Sequence, residues 1–220
     1  MRVLFVGLAR TIWLFDLNLI NPTGLSLQGV IEGIGARYQF AKFPKNIMDV
    51  DKDKSLEFKA GTFTNSQGTS VLVSLNIHLD GMVVDTNSST DNATEFLVDL
   101  SDWMAREHHL VFPPEVRVAY VSQLDVECDV SLMNLNPKLA GLLKFLESKV
   151  KPSDGKRRRF DVGGLSFWTE DVTQLGAPAV VKFERKFKTA FSDNHYFSQA
   201  PLQTRAHIDM LGELEALLKA

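Results

Sequence analysis

Val116-Arg117-Val118-Ala119-Tyr120-Val121-Ser122-Gln123-Leu124-Asp125-Val126-Glu127-Cys128-Asp129-Val130-Ser131-Leu132 is the longest regularly alternating stretch of the chain. In an extended backbone Val116, Val118, Tyr120, Leu124, Val126, Cys128 and Val130 point one way, and Arg117, Gln123, Asp125, Glu127 and Asp129 point the other. The period of two predicts a half-buried β-strand. A strand of this length bends or carries a bulge.

The same pattern recurs on both sides of it. Val71, Val73, Leu75 and Ile77 form a second apolar face, and Asp80-Gly81 then turns the chain into residues 82–84. Asp-Gly between apolar runs is a hairpin signal. Strands are also expected at 58–64, 160–169 and 180–188, with an opening strand inside 3–19. Helical periodicity places four helices, at 25–38, 91–108, 137–150 and from Pro201 onward. In the second, Phe96, Leu97, Leu100, Trp103 and Met104 share one stripe, with N-cap candidates at 88–91. The third stacks Leu139, Leu142, Leu143 and Leu146, and the fourth Met210, Leu211, Leu214, Leu217 and Leu218. Gly29, Gly33 and Gly35 lower the propensity of the first. Their spacing is not that of a dinucleotide fingerprint, so close helix packing is the simpler reason for them.

The fold class that follows is α+β, mainly antiparallel sheet with about four helices. The order also reads as a duplicated β-α-β-β-(β)-α unit. Asp16-Leu17-Asn18-Leu19-Ile20-Asn21 and Asp129-Val130-Ser131-Leu132-Met133-Asn134 each precede a proline and a helix. Phe58-Lys59-Ala60-Gly61 and Phe160-Asp161-Val162-Gly163 each follow one. The alternative is that any α+β chain can be cut to look repetitive. Taken as a duplication, residues 1–110 form one half and 111–220 the other, packed as one unit with the helices on one sheet face and the other face open.

Composition is that of an ordinary globular protein, 45% apolar and 23% charged. The net charge of −3 argues against a chain-wide basic surface. A single cysteine, Cys128, forms no internal disulfide and fits a reducing, cytoplasmic setting. The apolar run 3–8 is too short for a signal peptide core, and no run is long enough to span a membrane.

Three clusters carry candidate chemistry. Lys156, Arg157, Arg158 and Arg159 leave a Pro-Ser-Asp-Gly turn and could grip phosphates, with Phe160, Phe167 and Trp168 nearby to stack on bases. A solvated or salt-bridged rim is the plainer reading of such a run. Asp125, Glu127 and Asp129 share one strand face and could hold a divalent cation. Alternatively they face Lys182, Lys186 and Lys188 across the sheet. Asp49, Asp51 and Asp53 open like a calcium loop, but Lys54 stands where glycine is needed and Ala60 where a bidentate glutamate is needed. Ser192-Asp193-Asn194-His195-Tyr196 reads as turn chemistry, and His108-His109 as a helix end.

No catalytic, metal or phosphate motif rises above background, and no cofactor is expected. The reading that follows is a non-catalytic interaction subunit of a larger or homo-oligomeric complex, with a protein partner or self-association. The alternatives are a nucleic-acid or phosphorylated-ligand binder using residues 156–159, or a metal-dependent enzyme using Asp125, Glu127 and Asp129.

Overall fold

A computed structural model describes residues 1–21, 24, 26–45, 55–151, 153–156, 158–170 and 178–220. The elements run β1 (Arg2–Leu14), α1 (Leu17–Ile20), α2 (Gln28–Arg37), β2 (Leu56–Thr64), β3 (Ser70–His78), β4 (Gly81–Thr86), α3 (Thr90–His108), β5 (Arg117–Glu127), α4 (Leu139–Lys149), β6 (Gly164–Phe167), β7 (Val181–Arg185), β8 (His195–Ala200) and α5 (Thr204–Lys219). The strands hydrogen-bond in the order β2-β3-β4-β1-β5-β8-β7-β6, and every pair of described register is antiparallel. The α+β reading therefore holds.

So does the repeat. Among the described residues, a strand, a helical stretch (α1 with α2, then α4), three strands and a closing helix occur twice, and β2-β3-β4-β1 is answered by β6-β7-β8-β5 counted from the opposite edge. The helices that close the two repeats, α3 and α5, also cap each other. The Thr90 amide donates to Thr204 Oγ1 at 3.0 Å, and the Thr204 amide donates to Thr90 Oγ1 at 2.9 Å. Each threonine thereby satisfies an amide that a helix start leaves without an intrahelical partner.

The repeats are unequal in detail. The strand expected at 160–169 is confined to Gly164–Phe167, and the one at 180–188 to Val181–Arg185. β8 was not legible as a strand, because its inward positions are Tyr196, Ser198 and Ala200 rather than a run of large apolar residues. The last helix begins at Thr204 rather than beside Pro201.

Two compact units are present: Val6–Ser122 with Pro201–Arg205, and Met1–Phe5 with Gln123–Ala200 and Ala206–Ala220. In the first, Phe58, Phe63, Val71, Val73, Leu75, Met82 and Val84 from the strands meet Ile31 and Ile34 of α2 and Phe96, Leu97, Leu100 and Met104 of α3. Both helices thus cover the same face. Gly33 and Gly35 permit that approach, because a Cβ there would sit 2.7 Å from the Trp103 and Phe43 rings respectively.

In the second unit, Phe183 and Tyr196 stack at 4.5 Å, and Leu124, Val126, Cys128, Leu211 and Leu218 are buried with them. Cys128 is the small hydrophobe its strand face implied, and burial raises its thiol pKa. Arg185 ties the β6–β8 region together. It donates to Asp161 at 2.5 Å, to the carbonyls of Val162 and Phe191, both at 3.2 Å, and to Ser131 Oγ at 3.4 Å. The Met1 ammonium pairs with the buried Glu215, whose second oxygen accepts from the Asp129 amide at 3.1 Å.

Candidate interaction surface

α4 is built from good helix formers, Leu, Ala, Lys and Glu, and starts from a turn in which Asn136 Oδ1 accepts from the Lys138 amide at 3.2 Å. It ends where the Val150 amide reaches the Leu146 carbonyl at 2.9 Å. Of its leucine stripe, Leu139, Leu143 and Leu146 are only half-buried, and no residue of α4 is buried. Leu142 is 54% exposed and Phe145 56% exposed. Lys138, Lys144 and Lys149 are exposed around them, with the Lys149 ammonium 5.6 Å from the centre of the Phe145 ring. The outward face is thus apolar and cationic together.

Beside it lies an open cleft of about 960 Å³, lined in part by Lys144, Glu147, Ser148, Lys151, Arg158 and Arg159. The turn at 153–156 sets one wall. Asp154 accepts from the Lys156 amide at 3.1 Å and from the Arg158 guanidinium. Glu147 Oε1 accepts from the Phe160 amide at 3.2 Å, which draws the next segment against α4. Among the described residues, no carboxylate comes within ion-pair distance of Lys144, Lys151, Lys156 or Arg159.

The structure therefore brings Arg158 and Arg159 to the same cleft as two lysines of the α4 region, Lys144 and Lys151, a meeting that no motif or spacing foretells. Lys156 is exposed in the turn, and Arg157 lies outside the described residues. Phe160 is half-buried behind Glu147. Trp168, 66% exposed, and Phe167, 55% exposed, stand at the end of the edge strand β6 and do not line the cleft.

The other carboxylates are differently placed. Asp125 pairs with Lys186 and Glu127 with Arg2, while Asp129 lies past the end of β5 and accepts from Lys219 at 2.6 Å. Lys219 holds the Asp129 carboxyl below the usual carboxylate range. Among the described residues, no three His, Cys, Asp or Glu side chains are grouped to hold a metal. Asp49, Asp51 and Asp53 lie outside the described residues.

Other polar side chains pair with one another. On the β1–β4 face opposite α2 and α3, Arg10 donates twice to Asp85, at 2.6 and 2.8 Å. Gln123 and Gln199 bond at 2.9 Å. The cleft beside α4 gathers Lys144, Lys151 and Arg159, none of which has an ion-pair partner among the described residues.

His195 opens β8 rather than sitting in a loop, and Asn194 before it takes a left-handed turn at φ 47°. No motif in the sequence singles out His207. Its Nε2 lies 2.8 Å from Ser198 Oγ, and both residues are 0% exposed. Ser198 donates to the Lys182 carbonyl at 3.0 Å, so it accepts from Nε2–H and is no nucleophile facing a base. Burial lowers the His207 pKa to about 4.

No family model and no curated protein sequence matches the chain. Among solved structures, Methanococcus jannaschii TBP aligns over 100% of this chain and 99% of its own, at 12% identity and a TM-score of 0.46. A likeness that loose carries no functional inference. Among the described residues, no helix is long and apolar enough to cross a membrane.

Proposed function

We propose that the protein is a non-catalytic interaction subunit that docks a partner across α4 and the adjoining cleft. One observation carries the reading: a helix with an apolar stripe in which no residue is buried, with Leu142 and Phe145 more than half exposed. Contiguous apolar side chains rimmed by charge mark association surfaces, and large apolar anchors supply most of the energy when such surfaces close. The single buried thiol fits work in a reducing, cytoplasmic setting.

The test is the light-scattering mass of the protein isolated gently from its native source, beside a Leu142→Ser, Phe145→Ser variant. The expected result is a species larger than the 24.6 kDa chain that the double substitution dissociates. A bare monomer, or a complex indifferent to both substitutions, overturns it.

The convergence of Lys144, Lys151, Arg158 and Arg159 favours a second reading, a binder of nucleic acid or a phosphorylated ligand. Absorbance at 260 nm co-eluting with the protein, and lost with Arg158→Ala and Arg159→Ala, would put that reading first. Its absence removes it.

A further inference from the structure

We propose that the occupant of this surface is an acidic, amphipathic segment of another protein, laid along α4 with its carboxylates in the basic cleft; this rests on the docking reading above. Charge complementarity is the first argument. Between 138 and 159 the sequence carries eight Lys and Arg against two acids, Glu147 and Asp154, although the chain as a whole is at −3. Both acids are engaged: Glu147 holds the Phe160 amide, and Asp154 holds the Lys156 amide and Arg158. Lys144, Lys151, Lys156 and Arg159 have no such counter-charge among the described residues. They are free to pair with an anionic partner.

The apolar side chains distinguish one anion from another. Leu142 and Phe145 project from the face that also carries Lys138 and Lys149, four and seven residues away, while Lys144 lines the adjoining cleft and the exposed Val150 follows at the helix end. A phosphate backbone would meet the lysines but leave Leu142 and Val150 wet, since aliphatic side chains offer no stacking platform to a base. A segment with carboxylates on one side and apolar side chains on the other satisfies both at once. A second copy of the chain would set like charge against like, which is disfavoured at contact range. A flat anionic bilayer would reach the ridge but not the concave, cation-lined wall formed by Arg158 and Arg159.

The test is titration calorimetry on the full chain with a synthetic helical peptide of Glu and Leu, its leucines at i, i+3, i+4 and i+7. Three comparators are a scrambled peptide of the same composition, a single-stranded oligothymidylate, and vesicles of phosphatidylserine with phosphatidylcholine. The patterned peptide is expected to bind at least about tenfold more tightly than each comparator. Phe145→Ser should weaken it about tenfold without changing the salt dependence, because only apolar contact is lost. Lys144→Gln with Arg159→Gln should weaken it and flatten the salt dependence. Equal binding of patterned and scrambled peptides, or tighter binding of the oligonucleotide or vesicles, overturns the proposal. If the peptide fails while the native complex still falls apart on Leu142→Ser, Phe145→Ser, the docking reading stands and only its occupant is wrong. If neither responds, both fall.

Discussion

Two polar residues of the second unit, one buried and one nearly so, carry consequences that can be measured singly. His207 is fully buried, donates to Ser198, and has its pKa lowered to about 4 by burial. An exposed imidazole titrates near 6.5, so the unfolded chain takes up the proton first. Neutral His207 therefore contributes fully above about pH 6.5, and that contribution falls with pH toward 4 by up to about 1.4 kcal/mol per unit. His207→Gln keeps an N–H donor and removes the titration. Its unfolding midpoint should drop less steeply over that window than the parent's, and an imidazole titrating near 6.5 by NMR would refute the assignment. Arg185 makes the complementary case. Its side chain is 11% exposed and that of Asp161 15% exposed, so removing the cation strands a nearly buried carboxylate. Arg185→Met should cost about 3–5 kcal/mol in urea unfolding, and adding Asp161→Asn should return a good part of it. If the double variant is no more stable than the single, the ion pair is not the reason.

Elements differ in how plainly the sequence announces them, and the reason lies in what each buries. β3, β4 and α3 were legible because Val71, Val73, Leu75, Phe96, Leu97 and Leu100 sit inward at strict periods. The turn at Asp80-Gly81 was legible too, and its glycine does more than punctuate. Gly81 has φ 148°, and a Cβ there would lie 1.9 Å from the Trp13 carbonyl oxygen of the paired strand. Gly81→Ala should cost more than about 2 kcal/mol, since both backbone and neighbour must shift. Gly68→Ala is the control: its φ is 75° but nothing lies within 4 Å, so only the left-handed backbone term of about 1 kcal/mol applies. Equal losses would show that the β1–β4 approach is looser than 1.9 Å implies. β8 stayed hidden because Ser198 and Ala200 carry too little hydrophobicity to mark a face, although His207 gives Ser198 a buried partner. α4 was legible as a helix with a leucine stripe, but its exposure was not. Periodicity shows that a stripe exists, and only packing shows whether anything in the same chain covers it. The basic run at 156–159 was legible as charge, whereas its meeting with Lys144 and Lys151 was not, because that meeting depends on the turn at 153–156 and on Glu147.

Across the whole molecule, burial is spread unevenly, and this is where the interaction reading meets its most general check. The first unit holds a continuous cluster that includes Phe58, Leu75, Phe96, Leu97 and Leu100, each at 0% exposure. α4, in the second unit, contributes no buried residue. Isolated helices shorter than about 12–15 residues are marginal in water, so an 11-residue helix without buried anchors opens by local fluctuation. Amides in α3, which loses six buried side chains to solvent on opening, open only with most of the first unit. Native-state hydrogen exchange should therefore find α4 amides at least about a hundredfold faster than those of α3. Filling the surface with the patterned acidic peptide should slow α4 and leave α3 unchanged, because ordering on binding is confined to the elements a partner covers. α4 protection equal to that of α3 in the lone chain would mean that the helix needs no partner, and the case for a docking surface built on it would be lost.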